Sequence, residues 1–273
     1  MKSILLHVAE DAHFESRLQG ALDLVRFTGG HLECLQTRRV PGFLGADAGG
    51  FAGSAAMVVQ LMEDEARLAE AERQKLTARL QGEGVPFSFV EAMGEPGQTL
   101  VDRSLLADVI VMTQPGASGS DRDLAQALAA VVTHADAPVL AVPETAKRVE
   151  LEKPVLVAWK PTKEAAHAVK RSVTLLKKAA RVDIVTIDPT GSGDFPPLAV
   201  ASYLSRHGIK AELHERTAGG GSTSDTLLAT ARELGSGLLV MGGYGRSRAM
   251  EFLLGGVTRR LLSASDVPLL MAH

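Results

Sequence analysis

The run Met241-Gly242-Gly243-Tyr244-Gly245, followed after nine residues by Gly255-Gly256-Val257-Thr258, is the part of this chain best suited to hold a ligand. It comes after the apolar run 238–241 and before a helical pattern, so it reads as a strand, a glycine loop and a helix start. In that setting bare main-chain N–H groups can surround a phosphate. Gly242 and Gly245 permit positive φ and close approach of a ligand, with their N–H groups turned inward. Gly255, Gly256 and Val257 add N–H groups, and Thr258 offers a hydroxyl near a triphosphate or its Mg²⁺. Arg246 and Arg248 either add charge through a guanidinium fork or stand in solvent. Glycines also mark ordinary tight turns. The place of this loop after a strand is what favours an anion.

The elements that must position the loop occur twice. Segment 105–112 lines up with 234–241, and 131–142 with 261–272. Both halves open alike, with Ser3 to Val8 and Pro154 to Trp159 each leading into a helical pattern. Short apolar runs alternate with helical stretches, as in βαβ units with a parallel sheet. Strands are expected at 2–8, 31–36, 87–91, 107–113 and 138–142, then at 154–159, 182–187, 210–215, 237–241 and 267–271. Helices fall between them, at 14–28, 56–81, 98–106 and 121–134, then at 163–179, 197–207, 222–234 and 250–263. Thr145 to Lys153 is a charged linker, giving domains at 1–146 and 152–273. The glycine-rich stretch 38–54 reads as a surface loop, either a lid over the sheet's carboxyl edge or a plain connection. Open sheets of this type bind ligands where the strand order reverses, which places Lys160 and Gly242 on one crevice if the first and fourth strands of the second half are neighbours.

The first half is a control within the chain. At the positions of the glycine loop it reads Thr113, Gln114, Pro115, Gly116, Ala117 and then Ala125, Gln126, Ala127, Leu128. Pro115 removes a donor, and the side chains of Ala125 and Gln126 crowd the approach. One phosphate site per chain is expected, with the first half as a structural partner.

Composition removes several classes. With 29 Lys and Arg against 32 Asp and Glu the net charge is -3, so no field attracts nucleic acid or an anionic membrane. The apolar run at the start is too short for a signal or a membrane span, and the single cysteine, Cys34, suits a reducing compartment, so the cytoplasm is expected. The eight histidines lack HxxxH or HxxH spacing, and no zinc signature is present, so no metal site is expected. No catalytic triad is evident. His7 and His214, both within strands, read as core histidines, and Trp159 either packs between helix and sheet or stacks on a base.

The glycine loop, together with the opening Val157-Ala158-Trp159-Lys160-Pro161-Thr162-Lys163-Glu164-Ala165 and the ending Asp266-Val267-Pro268-Leu269-Leu270-Met271, resembles the universal stress protein family in its tandem form. The resemblance implies two Rossmann-like, flavodoxin-like α/β domains, each an open five-stranded parallel sheet of order 3-2-1-4-5 flanked by helices. It implies paired domains, within one chain or across a homodimer, and in one branch of the family ATP at the glycine loop. Phosphate contacts would then fall on Gly242, Gly245, Gly255, Gly256 and Val257, and adenine and ribose contacts on Ala158, Trp159, Lys160 and a residue of the second strand near Ile187, with Met241, Arg246 and Thr258 completing the expected cofactor-binding set. The nucleotide-binding branch usually has an acid where this chain has Lys160, and Ser or Thr where it has Gly256. A protonated lysine cannot accept hydrogen bonds from adenine or ribose, though it can approach a phosphate or another anion. The expected activity is that of a nucleotide-responsive binding or signalling module, with hydrolysis at most slow. The rival reading is a ligand-free interaction protein that has kept the loop.

Overall fold

The structure is a computed structural model that describes residues 1–9, 11–38, 52–115, 122–188, 196–243 and 256–273, with side chains from 59 and from 124 in the helices that begin at 52 and 122. In the first half β1 (Ser3–Val8), α1 (Phe14–Thr28), β2 (His31–Arg38), α2 (Ala52–Glu83), β3 (Phe87–Met93), α3 (Pro96–Arg103), β4 (Val109–Thr113), α4 (Arg122–His134) and β5 (Val139–Val142) follow in order. The second half repeats them as β6 (Val155–Ala158), α5 (Lys163–Leu176), β7 (Val182–Ile187), α6 (Pro197–Arg206), β8 (Ala211–Arg216), α7 (Thr223–Glu233), β9 (Leu238–Gly242), α8 (Gly256–Ala264) and β10 (Leu269–Ala272).

Each half is parallel with the order 3-2-1-4-5, and the two join edge to edge into one ten-stranded sheet, β3-β2-β1-β4-β5-β10-β9-β6-β7-β8. The seam is the antiparallel pair β5 and β10, with Leu140 opposite Leu270. Both fifth strands therefore spend their free backbone donors and acceptors on each other. Gln114 crosses the same seam, its Nε2 donating to Ala141 O at 3.1 Å and Val267 O at 3.2 Å.

The central strands are buried on both faces, which explains their unbroken apolar runs. On one face Leu18, Leu22, Leu76, Leu80, Val169 and Leu204, from α1, α2, α5 and α6, pack on Leu6, Val111, Val157 and Val240. On the other, Leu100, Leu128, Leu227 and Leu261, from α3, α4, α7 and α8, pack on Leu5, Ile110, Leu156 and Met241. Both layers run through the two halves without a break. The helix α2 begins at Ala52, four residues before the boundary expected from the apolar stripe, so it takes up the end of the stretch read as loop. The rest of that stretch, 39–51, lies outside the described residues.

Candidate functional site

In the second half β6 pairs with β7 on one side and β9 on the other, Val157 lying opposite Ile184 and Val240. The strand order therefore reverses between β6 and β9, and the crevice expected of such sheets opens past their carboxyl ends. Ala158, Trp159 and Lys160 leave β6 there, Ile187 ends β7, and Met241 and Gly242 end β9. Lys160 is exposed and Trp159 half-buried, its indole against the α5 side of the core and its backbone N–H donating to Val185 O at 2.8 Å. That is the packed alternative for Trp159. Ala158 and Ile187 are half-buried on the opposite face, while Met241 is buried in the core at 5% exposure and offers the crevice its backbone only.

The helix α8 is the next element after β9 in the chain order. Gly256, Val257 and Thr258 are its first residues, and first-turn N–H groups have no partner inside their own helix. Gly256 and Val257 are exposed and Thr258 is 6% exposed, so it is the first two that meet solvent. A β-carbon on Gly256 would meet nothing within 4 Å. Gly245, Arg246, Arg248 and Gly255 lie outside the described residues.

Two glycines of the loop have a role the sequence did not disclose. Gly242 is not among the glycines of positive φ, contrary to expectation. Its missing side chain serves α5 instead, since a β-carbon there would stand 2.6 Å from Ala165 N and 2.8 Å from Glu164 C. The helix start that presses on it is fixed by Thr162, whose hydroxyl accepts from Ala165 N–H at 3.3 Å. Gly243 is buried at the seam, where a β-carbon would lie 2.5 Å from Val132 Cγ1 of α4. Its N–H donates to Ala272 O at 2.8 Å and its carbonyl meets His273 Nδ1 at 3.1 Å.

Glu164 brings an acid to the edge of this crevice. Burial works against its charge, but its own N–H, the Thr162 hydroxyl and the imidazoles of His273 and His167 hold its carboxyl below the usual carboxylate range. The carboxylate is held at the start of α5 by its own N–H and the Thr162 hydroxyl, while the backbone and Cβ of Glu164 are what press on Gly242. An anion is therefore better placed toward Lys160 and the first turn of α8.

The first half uses the same place differently. Gln114 N–H donates to Val142 O at 2.8 Å, as Gly243 does to Ala272, so Thr113 and Gln114 stand where Gly242 and Gly243 stand. Thr113 Oγ1 accepts from Nη1 of Arg17 at 2.6 Å. Arg17 is fully buried, its Nε donating to His7 O at 2.9 Å and its Nη2 to Asp11 Oδ2 at 2.7 Å. A guanidinium thus fills the gap between the ends of β1 and β4. Burial first, and then the charge of Arg17, pushes the His7 imidazole down to about 4, so it is neutral at physiological pH, close to Thr37 Oγ1 at 3.3 Å. Nothing in the local pattern of α1 distinguishes a buried arginine from a surface one, and Arg17 was missed for that reason.

A 3-2-1-4-5 parallel sheet repeated in the two halves defines a tandem flavodoxin-like protein. The chain belongs to the universal stress protein family, whose model matches residues 2–143 and again 152–273. A universal stress protein from Archaeoglobus fulgidus DSM 4304 has the same fold, with a TM-score of 0.76 and 18% identity over 99% of this chain and 96% of that one. A protein from Pseudomonas aeruginosa PAO1 gives 0.59 and 17% over 99% of this chain and 92% of the other. No curated protein matches. Among the described residues no helix is long and apolar enough to cross a membrane.

Proposed function

We propose that the second half binds a nucleotide, ATP with Mg²⁺ in the first instance, and that the chain is a stress-response binding or signalling module of the cytoplasm rather than an enzyme. The observation that carries this reading is the contrast between the two switch points. One is filled by Arg17, Asp11 and Thr113. The other has the exposed Lys160, the end of β9 at Gly242 and the exposed Gly256 and Val257 at the start of α8. Main-chain donors, the positive end of the helix and one ammonium group suit a phosphate chain. The nucleotide base would lie toward Ala158, Trp159 and Ile187. Because Gly243 rests on Val132 of the other half, a change in the loop on binding is felt by α4, which gives a partner something to read. The two halves then act as one unit, and a homodimer is not required.

The test is nucleotide extracted from freshly purified, denatured protein, together with the thermal shift produced by ATP and Mg²⁺. Adenine nucleotide in the extract and a rise in melting temperature support the reading, and the absence of both counts against it. One set of observations favours the rival, a ligand-free interaction protein. Gly242 and Gly243 are both accounted for by packing, and Lys160 and Gly256 depart from the usual nucleotide-binding residues. For that rival, ATP leaves the melting temperature unchanged.

A further inference from the structure

We propose a divalent metal site on the outer edge of the second half, formed by Asp183 of β7 with Glu212 and His214 of β8. Asp183 and Glu212 are direct neighbours across the parallel pair, and His214 follows Glu212 by two residues, so all three project on one face of the sheet. One ligand atom from each falls within 4.8 Å of the others. His214 Nε2 lies 3.0 Å from Asp183 Oδ1, the span of two ligands about 2.1 Å from one metal ion at roughly a right angle. Glu212 is exposed and needs only a side-chain rotation to complete the set, with water in the open positions.

The surroundings favour a cation. Two carboxylates directly opposite one another, one on the edge strand β8 and one on its inner neighbour β7, repel. Arg181 offsets one of the two charges, its Nε donating to Asp183 Oδ1 at 2.9 Å and Oδ2 at 3.0 Å, while its Nη2 is held by Leu234 O at 3.0 Å. Two carboxylates against one guanidinium leave an excess of one negative charge. Arg181 also fixes the plane of the fully buried Asp183 carboxylate, as outer partners of metal ligands do. The metal would sit between His214 Nε2 and Asp183 Oδ1. One imidazole and two carboxylates suit zinc, cobalt or manganese. Histidine spacing along the chain could not reveal this set, because its ligands come from two strands.

The site is four residues from Ile187 along β7, about 13 Å at the usual rise, and so is separate from the proposed nucleotide crevice. The test is titration of the metal-free protein with Zn²⁺ by calorimetry, repeated with Co²⁺ by visible absorption. One equivalent should bind. His214→Ala and Glu212→Gln should each weaken binding at least tenfold with the circular dichroism spectrum intact, and Mg²⁺ and ATP should not compete. Glu212→Gln keeps the test sound if His214→Ala unfolds, since Glu212 is exposed. Zn²⁺ uptake no greater than that of the Glu212→Gln protein, or no uptake, overturns the site.

Discussion

A β-carbon added to Gly243 would stand 2.5 Å from Cγ1 of Val132, although the two residues belong to different halves of the chain. The base of the glycine loop is therefore closed against α4 of the first half. Gly243→Ala should overpack this contact and cost about 1–3 kcal/mol in denaturant unfolding. Val132→Ala in the same chain should recover part of that loss, giving a coupling of about 0.5–3 kcal/mol. Strictly additive losses would mean that the two residues do not meet.

Gly242→Ala should destabilise by a similar amount, because the new methyl would meet the backbone of Glu164 and Ala165, which cannot swing aside. Its effect on a ligand is then inseparable from its effect on α5. A Gly242→Ala protein as stable as the parent in chemical denaturation would show that α5 does not lie where the structure puts it.

The repeat, the strand runs and the switch point were legible in the sequence because buried parallel strands are apolar on both faces and the same order appears twice. The purpose of individual glycines was not. A glycine is required equally where a ligand, a helix or another domain comes close, and only the coordinates show that Gly242 meets α5 and Gly243 meets Val132. Pro115, Ala125 and Gln126 marked the first half as unsuited to phosphate by the same reasoning, but the residue that fills its crevice, Arg17, is one turn into α1 and carries no local signature. The start of α2 at Ala52 was missed because glycine and alanine there blur the helical period.

The His7 network should appear in the pH dependence of stability. Its folded value of about 4 lies below the ordinary 6.5, so its contribution is fully present above pH 6.5 and is lost as pH falls from 6.5 toward 4. The full shift corresponds to about 3 kcal/mol. Urea unfolding across that range should show a steeper fall for the parent than for His7→Gln. Parallel curves would mean that His7 is not buried uncharged.

Arg17→Ala should cost about 3–5 kcal/mol, because it leaves Asp11 without its cation and Thr113 without its donor. Arg17→Lys should recover only part of this, since one ammonium cannot reach the His7 carbonyl, Thr113 and Asp11 with a fork's geometry. A loss below 1 kcal/mol for Arg17→Ala would place the guanidinium outside the crevice.

Lys160→Asp would place an acceptor where the nucleotide-binding branch of the family has its acid. Affinity for adenosine should rise, because an acid can accept hydrogen bonds from the base or ribose. Affinity for inorganic triphosphate should fall, because a cation is lost. Competition binding measures both. Equal changes for the two ligands would put Lys160 outside the site.

Gly256→Asp separates the fold from the ligand, because its β-carbon has open space and an acid in the first turn of α8 is favourable to the helix while repelling phosphate. Calorimetric titration of the parent and this variant with ATP and Mg²⁺ is the most direct measurement. The parent should bind one equivalent per chain, and Gly256→Asp should bind at least tenfold more weakly with an equal or higher melting temperature. No heat of binding in the parent, or the same affinity in both proteins, would contradict a phosphate site at α8.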